Sequence, residues 1–169
     1  MNIRSSIDNI HKKMYNIFMI KRKISDKAIY LSTKFPVVGI LGPRQSGKTT
    51  LVKNIFSNKK YVSFEDIDIR NYADEDPRSF LAEYPDGAIY DEVQRVPELF
   101  SYIQTNVDND VVNGKFILTG SNNFLLNESI TQSLAGRIAI LNLLPFSISE
   151  LKNSGVNMDV YETYLYNGF

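Results

Sequence analysis

Residues 42 to 49 read Gly-Pro-Arg-Gln-Ser-Gly-Lys-Thr and match the template G-x-x-x-x-G-K-[ST]. The chemistry of that pattern is anion capture. Its glycines let backbone N–H groups converge on one phosphate, and the N-terminus of the helix that follows adds a partial positive charge. Gly42, Pro43, Arg44, Gln45, Ser46, Gly47, Lys48, Thr49 and Thr50 form the expected nucleotide-binding set. Within it Lys48 would reach the β- and γ-phosphates, and the Thr49 hydroxyl would ligate Mg²⁺.

A second group of residues could complete the chemistry. Asp91-Glu92 follows the apolar Ala88-Ile89-Tyr90. An Asp at such a strand end supplies the hard oxygen that Mg²⁺ requires, and the acid beside it can orient and deprotonate an attacking water. Asp91 is therefore the second expected metal ligand and Glu92 the expected base, against the plain alternative of two acids closing a surface strand. The run Lys115-Phe116-Ile117-Leu118 leads into Thr119-Gly120-Ser121-Asn122. Ser121 there can meet the γ-phosphate or the water; Ser121 and Asn122 equally suit the N-cap of the next helix. Arg44 and Arg95 could meet the nucleotide or steady the acidic pair. Glu65-Asp66 reads as a cap after the second strand, and the single histidine, His11, as a solvated helix residue.

Positioning such groups takes a strand before the loop and a helix after it, which Val37–Leu41 and Thr49–Phe56 provide. Further strands are expected at 61–64, 88–90, 115–118 and 138–144. Helices are expected from Asp76-Pro77, from Pro97 (with Leu99, Phe100, Ile103 and Val107 on one face), over 123–135, and from the capping box Ser147-x-x-Glu150. The alternation predicts an α/β fold, a parallel sheet covered by helices on both faces. Ile7, Ile10, Met14, Ile17 and Phe18 suggest an amphipathic N-terminal helix, with packing on its own domain favoured over membrane or partner contact. Met158, Tyr161 and Leu165 begin another amphipathic helix before the chain stops at Phe169, as expected of a truncated chain.

Composition bounds the partners. The 169 residues, 43% of them apolar, suit one globular domain, and 19 Lys plus Arg balance 19 Asp plus Glu. No basic field argues for nucleic acid, although a local patch is not ruled out by the balance. With no cysteine there is neither a disulfide nor a thiolate site. No apolar stretch is long enough for a bilayer span and no signal core opens the chain, so the default compartment is the cytoplasm.

Taken together, GPRQSGKTT, AIYDEVQRVPELF, FILTGSNNFLL and LAGRIAILNLLPFSISEL, with YVSFED and DP-x-x-FL between them, resemble a widespread prokaryotic group of AAA-type ATPases. In that group the ATPase core precedes a C-terminal domain of unknown function. The resemblance runs from about Met19 to Phe169. It implies a three-layer P-loop fold with a five-stranded parallel sheet in the order 5-1-4-3-2, Asp91-Glu92 as the Walker B pair, and a sensor at the end of strand four. The resemblance makes residues 1–18 an upstream extension, and the whole chain is expected to divide into residues 1–34 as an N-terminal helical extension, 35–155 as the core and 156–169 as the start of a truncated lid region. Arg137 occupies the place where such ATPases put an arginine finger for a neighbouring subunit's γ-phosphate; the alternative is a cation at a helix C-terminus capped by Gly136. The expected activity is Mg-dependent ATP hydrolysis, with a homo-oligomer or protein partner possible. Its rivals are a nucleotide-binding switch without turnover and a small P-loop kinase. The kinase ranks last, since Arg137 is the one arginine after Leu118 to close over an acceptor.

Overall fold

The computed structural model describes residues 20–121, 130 and 132–154. The expected N-terminal helix, His11, Asn122, most of the helix expected over 123–135 and the helix begun by Met158 lie outside the described residues. The chain divides into two units after Lys23 and after Pro145.

The unit Ile24–Pro145 holds α1 (Ser25–Ser32), β1 (Val37–Leu41), α2 (Lys48–Ile55), β2 (Lys60–Ser63), α3 (Ile67–Glu75), α4 (Pro77–Ala82), β3 (Ala88–Asp91), a 3₁₀ turn (Val93–Arg95), α5 (Leu99–Asn109), β4 (Phe116–Gly120) and β5 (Ile138–Asn142). The sheet order is β2-β3-β4-β1-β5, every pairing parallel, which is the expected 5-1-4-3-2 read from the other edge. β1 and β4 are buried at all five positions. A strand turns successive side chains to opposite faces, so a strand apolar throughout must be covered on both. Accordingly Val37, Leu41, Tyr90, Phe116 and Leu118 join one core, and Val38, Ile40, Ile89, Ile117 and Leu141 join the other. Tyr90 stacks on Phe116 and leans on Phe64, Phe80 and Tyr84, which fixes β3 against its neighbours.

α3 is an addition to the elements read from sequence. Its Ile67 is 60% exposed and Ala73 is its one fully buried residue, joined against the core only by Ile69 and Tyr72, so its apolar stripe is short. The Glu65-Asp66 cap has its helix here: Asp66 accepts from the N–H groups of Asp68 and Ile69 at 3.0 and 3.4 Å. α4 begins as expected, with Pro77 in its first turn and Asp76 capping Ser79. β5 ends at Asn142, two residues short of the expected Leu144.

The turn before β3 depends on Gly87. Its φ is +76°, and a Cβ there would stand 1.8 Å from the Lys115 carbonyl oxygen. Left-handed backbone costs a side chain about 1–2 kcal/mol, and the clash falls on backbone that cannot swing away. Gly87→Ala should therefore lower stability by about 3 kcal/mol or more, among the largest single-site effects. Denaturant melts of the two chains check this; equal midpoints would mean the turn relaxes freely.

In the other unit, among residues 20–23 and 146–154, Ser147 and Glu150 close the expected capping box on α6 (Ile148–Asn153). Burial pushes the Glu150 carboxyl up, but hydrogen bonds from the Ser147 and Lys23 N–H groups, the Ser147 hydroxyl and Arg22 outweigh it and hold the group at about 2. Arg22 also lies 4.3 Å over the Phe146 ring.

Candidate nucleotide site

The site is built where β1, β3 and β4 end, the edge at which parallel sheets collect ligands. β1 runs straight into the loop. Gln45 and Gly47 take φ of 63° and 86°, the left-handed turns that fold residues 42–47 back over the start of α2. Gly42 is required by a different neighbour, since a Cβ there would fall 2.1 Å from the carbonyl oxygen of Leu143. That chain segment is held close by the Leu143 N–H, which donates to Leu41 O at 2.7 Å.

The N-terminus of α2 carries no side-chain cap at Gly47. The first N–H groups of a helix lack intrahelical partners, so an uncapped start facing a cleft is prepared for an anion. Lys48 is 5% exposed, and its Nζ donates to the carbonyls of Gly42 at 2.9 Å and Pro43 at 2.8 Å. An ammonium has three donors. Among the described residues no carboxylate pairs with this one, so a buried positive charge faces the cleft balanced only by two backbone oxygens.

Asp91, 4% exposed, gathers three hydroxyls. Thr49 Oγ1 donates to its Oδ2 at 2.8 Å, Tyr61 Oη donates to the same oxygen at 2.5 Å, and Thr119 Oγ1 donates to Oδ1. Burial first, then the bond to Asp91, pushes the Tyr61 phenol far above its ordinary value, so it remains a donor. Glu92 follows with φ of 57°, a left-handed conformation unusual for a non-glycine residue. The 3₁₀ turn beyond it places Gln94 so that its Nε2 donates to Glu92 Oε2 and, at 3.2 Å, to Ser121 Oγ. Of these residues Thr49, Asp91 and Glu92 line a cleft of about 640 Å³, together with Arg44, Gln45, Gly47, Lys48, Thr50, Glu65 and Arg95.

The fold thus brings together the loop, Lys48, Thr49, Asp91, Glu92 and, through Gln94, Ser121. Ser46 is buried beneath the loop at 3% exposure. Arg137 is elsewhere. Its carbonyl accepts from the N–H of Val37, at the amino end of β1, and its guanidinium grips Asp108 through Nε at 2.5 Å and the second nitrogen at 2.9 Å. That pairing holds the Asp108 carboxyl below its usual range. Gly136 before it has φ of +76°, as a left-handed cap requires. Tyr61, Gln94 and Thr119 went unread as site residues. All three lie within the motif stretches quoted above, but nothing local marks Tyr61, one aromatic among many, as a partner of Asp91.

A family model described as AAA domain matches residues 34–152. The chain belongs to the AAA domain family. This AAA domain is 31% identical over 125 residues to proteins Rv2008c of Mycobacterium tuberculosis and Mb2031c of Mycobacterium bovis. The match takes in 72% of the chain and 28% of each relative, so the chain spans little more than a quarter of their length. Among solved structures it resembles a Walker-type ATPase of Pyrococcus abyssi with a TM-score of 0.59 at 20% identity, over 89% of this chain and 62% of the other. A DNA replication initiation factor gives a TM-score of 0.52 at 16% identity, over 85% of this chain and 53% of that one. At such identities the likeness is one of fold. The resemblance drawn from the motifs is thereby confirmed at the level of a P-loop ATPase domain. No helix among the described residues is long and apolar enough to cross a membrane.

Proposed function

We propose that this AAA domain binds ATP at the loop of residues 42–50 and hydrolyses its β–γ phosphoanhydride. The observation that carries the reading is Lys48: a buried ammonium with no carboxylate partner among the described residues, beside an uncapped helix N-terminus, is a site short of an anion. Thr49 and Asp91 offer the oxygen pair that Mg²⁺ takes when phosphates and water complete its shell. When bound there, the metal would neutralise charge on the phosphate oxygens.

The chain's own residues supply the rest. Loop N–H groups and Lys48 hold the β- and γ-phosphates, and Glu92 faces the cleft with one carboxylate oxygen tied by Gln94. Its other oxygen takes the proton as water attacks phosphorus. The bond from the γ-phosphorus to the β–γ bridging oxygen breaks, and ADP and phosphate leave. Arg137, engaged with Asp108 at the opposite end of the sheet, enters this reading only if a second copy presents it to the cleft.

Calorimetric titration with Mg-ATP, together with phosphate release measured with and without a chelator, tests the proposal. One saturable site per chain and metal-dependent release are expected. Failure to bind at millimolar ATP would overturn it, while binding without release would favour the switch reading.

A further inference from the structure

Gln94 has no assigned part in holding the nucleotide, yet it joins Glu92, which lines the cleft, to Ser121, just past the end of β4. It sits in the 3₁₀ turn Val93–Arg95, anchored by the fully buried Val93 and Val96. Its single amide nitrogen has two hydrogens, and both are spent: one on Glu92 Oε2, the other on Ser121 Oγ at 3.2 Å. The amide orientation is dictated by chemistry. Turning it over would set a carbonyl oxygen against a carboxylate oxygen, two acceptors facing each other. Its Oε1 is buried and has no hydrogen-bond partner, so the side chain has accepted an unsatisfied acceptor in order to make these two donations.

Each donation has a directional result. A hydroxyl that accepts from an amide keeps its own hydrogen for another acceptor, so Ser121 is left as a donor toward an incoming anion. A carboxylate gripped at Oε2 has its Oε1 aimed by that grip. We propose that Gln94 is the positioning residue that couples Ser121 to Glu92, so that the terminal phosphate of a nucleoside triphosphate, engaged by Ser121, sets the carboxylate that activates water. The inference rests on the ATP-hydrolysing reading above. It adds that one amide makes the site distinguish a triphosphate from a diphosphate.

The test uses the 169-residue chain. Gln94→Leu keeps the bulk and removes both hydrogen bonds; Gln94→Glu keeps the length and replaces the donor with a charge that repels Glu92. Calorimetry compares Mg-ADP with the Mg complex of a non-hydrolysable ATP analogue, and steady-state assays separate kcat from KM. In both variants ADP affinity should stay within about twofold, while the preference for the triphosphate falls about fivefold or more, the scale of a lost charge-assisted hydrogen bond. kcat should fall about 10- to 100-fold with KM nearly unchanged, as for a group acting on the transition state. Equal weakening of both nucleotides would assign Gln94 a merely structural role, and unchanged preference and kcat would overturn the coupling outright. If the parent chain binds neither nucleotide, the functional reading itself fails. If it binds but does not turn over, the affinity ratio alone decides.

Discussion

In the Lys48→Ala variant, Mg-ATP is expected to leave the melting temperature where it stands, whereas the parent chain should rise by about 5–10 °C. A ligand at a hundred times its Kd adds about 2.7 kcal/mol, and each kcal/mol moves a domain of this size by about 2–4 °C. The variant's own baseline should drop, because Gly42 and Pro43 lose the donor that now satisfies their carbonyls. An acceptor abandoned in a buried site costs about 1–3 kcal/mol. The quantity to compare is thus the increment with nucleotide, not the baseline. Lys48→Met keeps the buried stem but, like alanine, offers no donor, so it should lose the nucleotide increment just as fully. Equal increments in parent and variants would remove the anion site from this loop.

Glu92→Gln should reduce hydrolysis by about 10² or more with ATP affinity preserved, the scale of a general base removed. The substitution suits the geometry. A glutamine keeps an acceptor oxygen for Gln94 Nε2 and the same length, and it leaves the left-handed backbone at this position with a residue no bulkier than before. What it cannot do is accept a proton from water at neutral pH. Single-turnover phosphate release under saturating Mg-ATP reads the chemical step. Unchanged release would move the base to Glu65, the other glutamate bordering the cleft.

Much of this site was legible because its chemistry is local in sequence. The loop, Lys48 and Thr49 are consecutive, and the strand before them and the helix after them carry their own apolar signals. Asp91 and Glu92 were readable for the same reason, at the end of a buried strand. The sheet order came from motif resemblance, since alternating elements alone do not say which strands are neighbours. Tyr61 shows what stays hidden. Its role exists only because β2 pairs with β3 in a register that sets Ser63 beside Asp91, and no local pattern encodes that register. Gln94 was hidden by its bond to Ser121, a contact across 27 positions. α3 was hidden because Ala73 is its one fully buried residue and only Ile69 and Tyr72 join it against the core, a stripe too short to stand out.

The carboxylate of Asp91 is a crossing point. Thr49 reaches it from the helix after β1, Tyr61 from β2 and Thr119 from β4, so one side chain is fastened to three separate stretches of chain. β2 is the outermost strand on its side, and only Val62 of its four residues is fully buried. For that strand the phenol of Tyr61 is a mooring line as much as a hydrogen-bond donor. A ligand that competed with Tyr61 for Asp91 would slacken the sheet's edge, so amide exchange along β2 would report on the cleft.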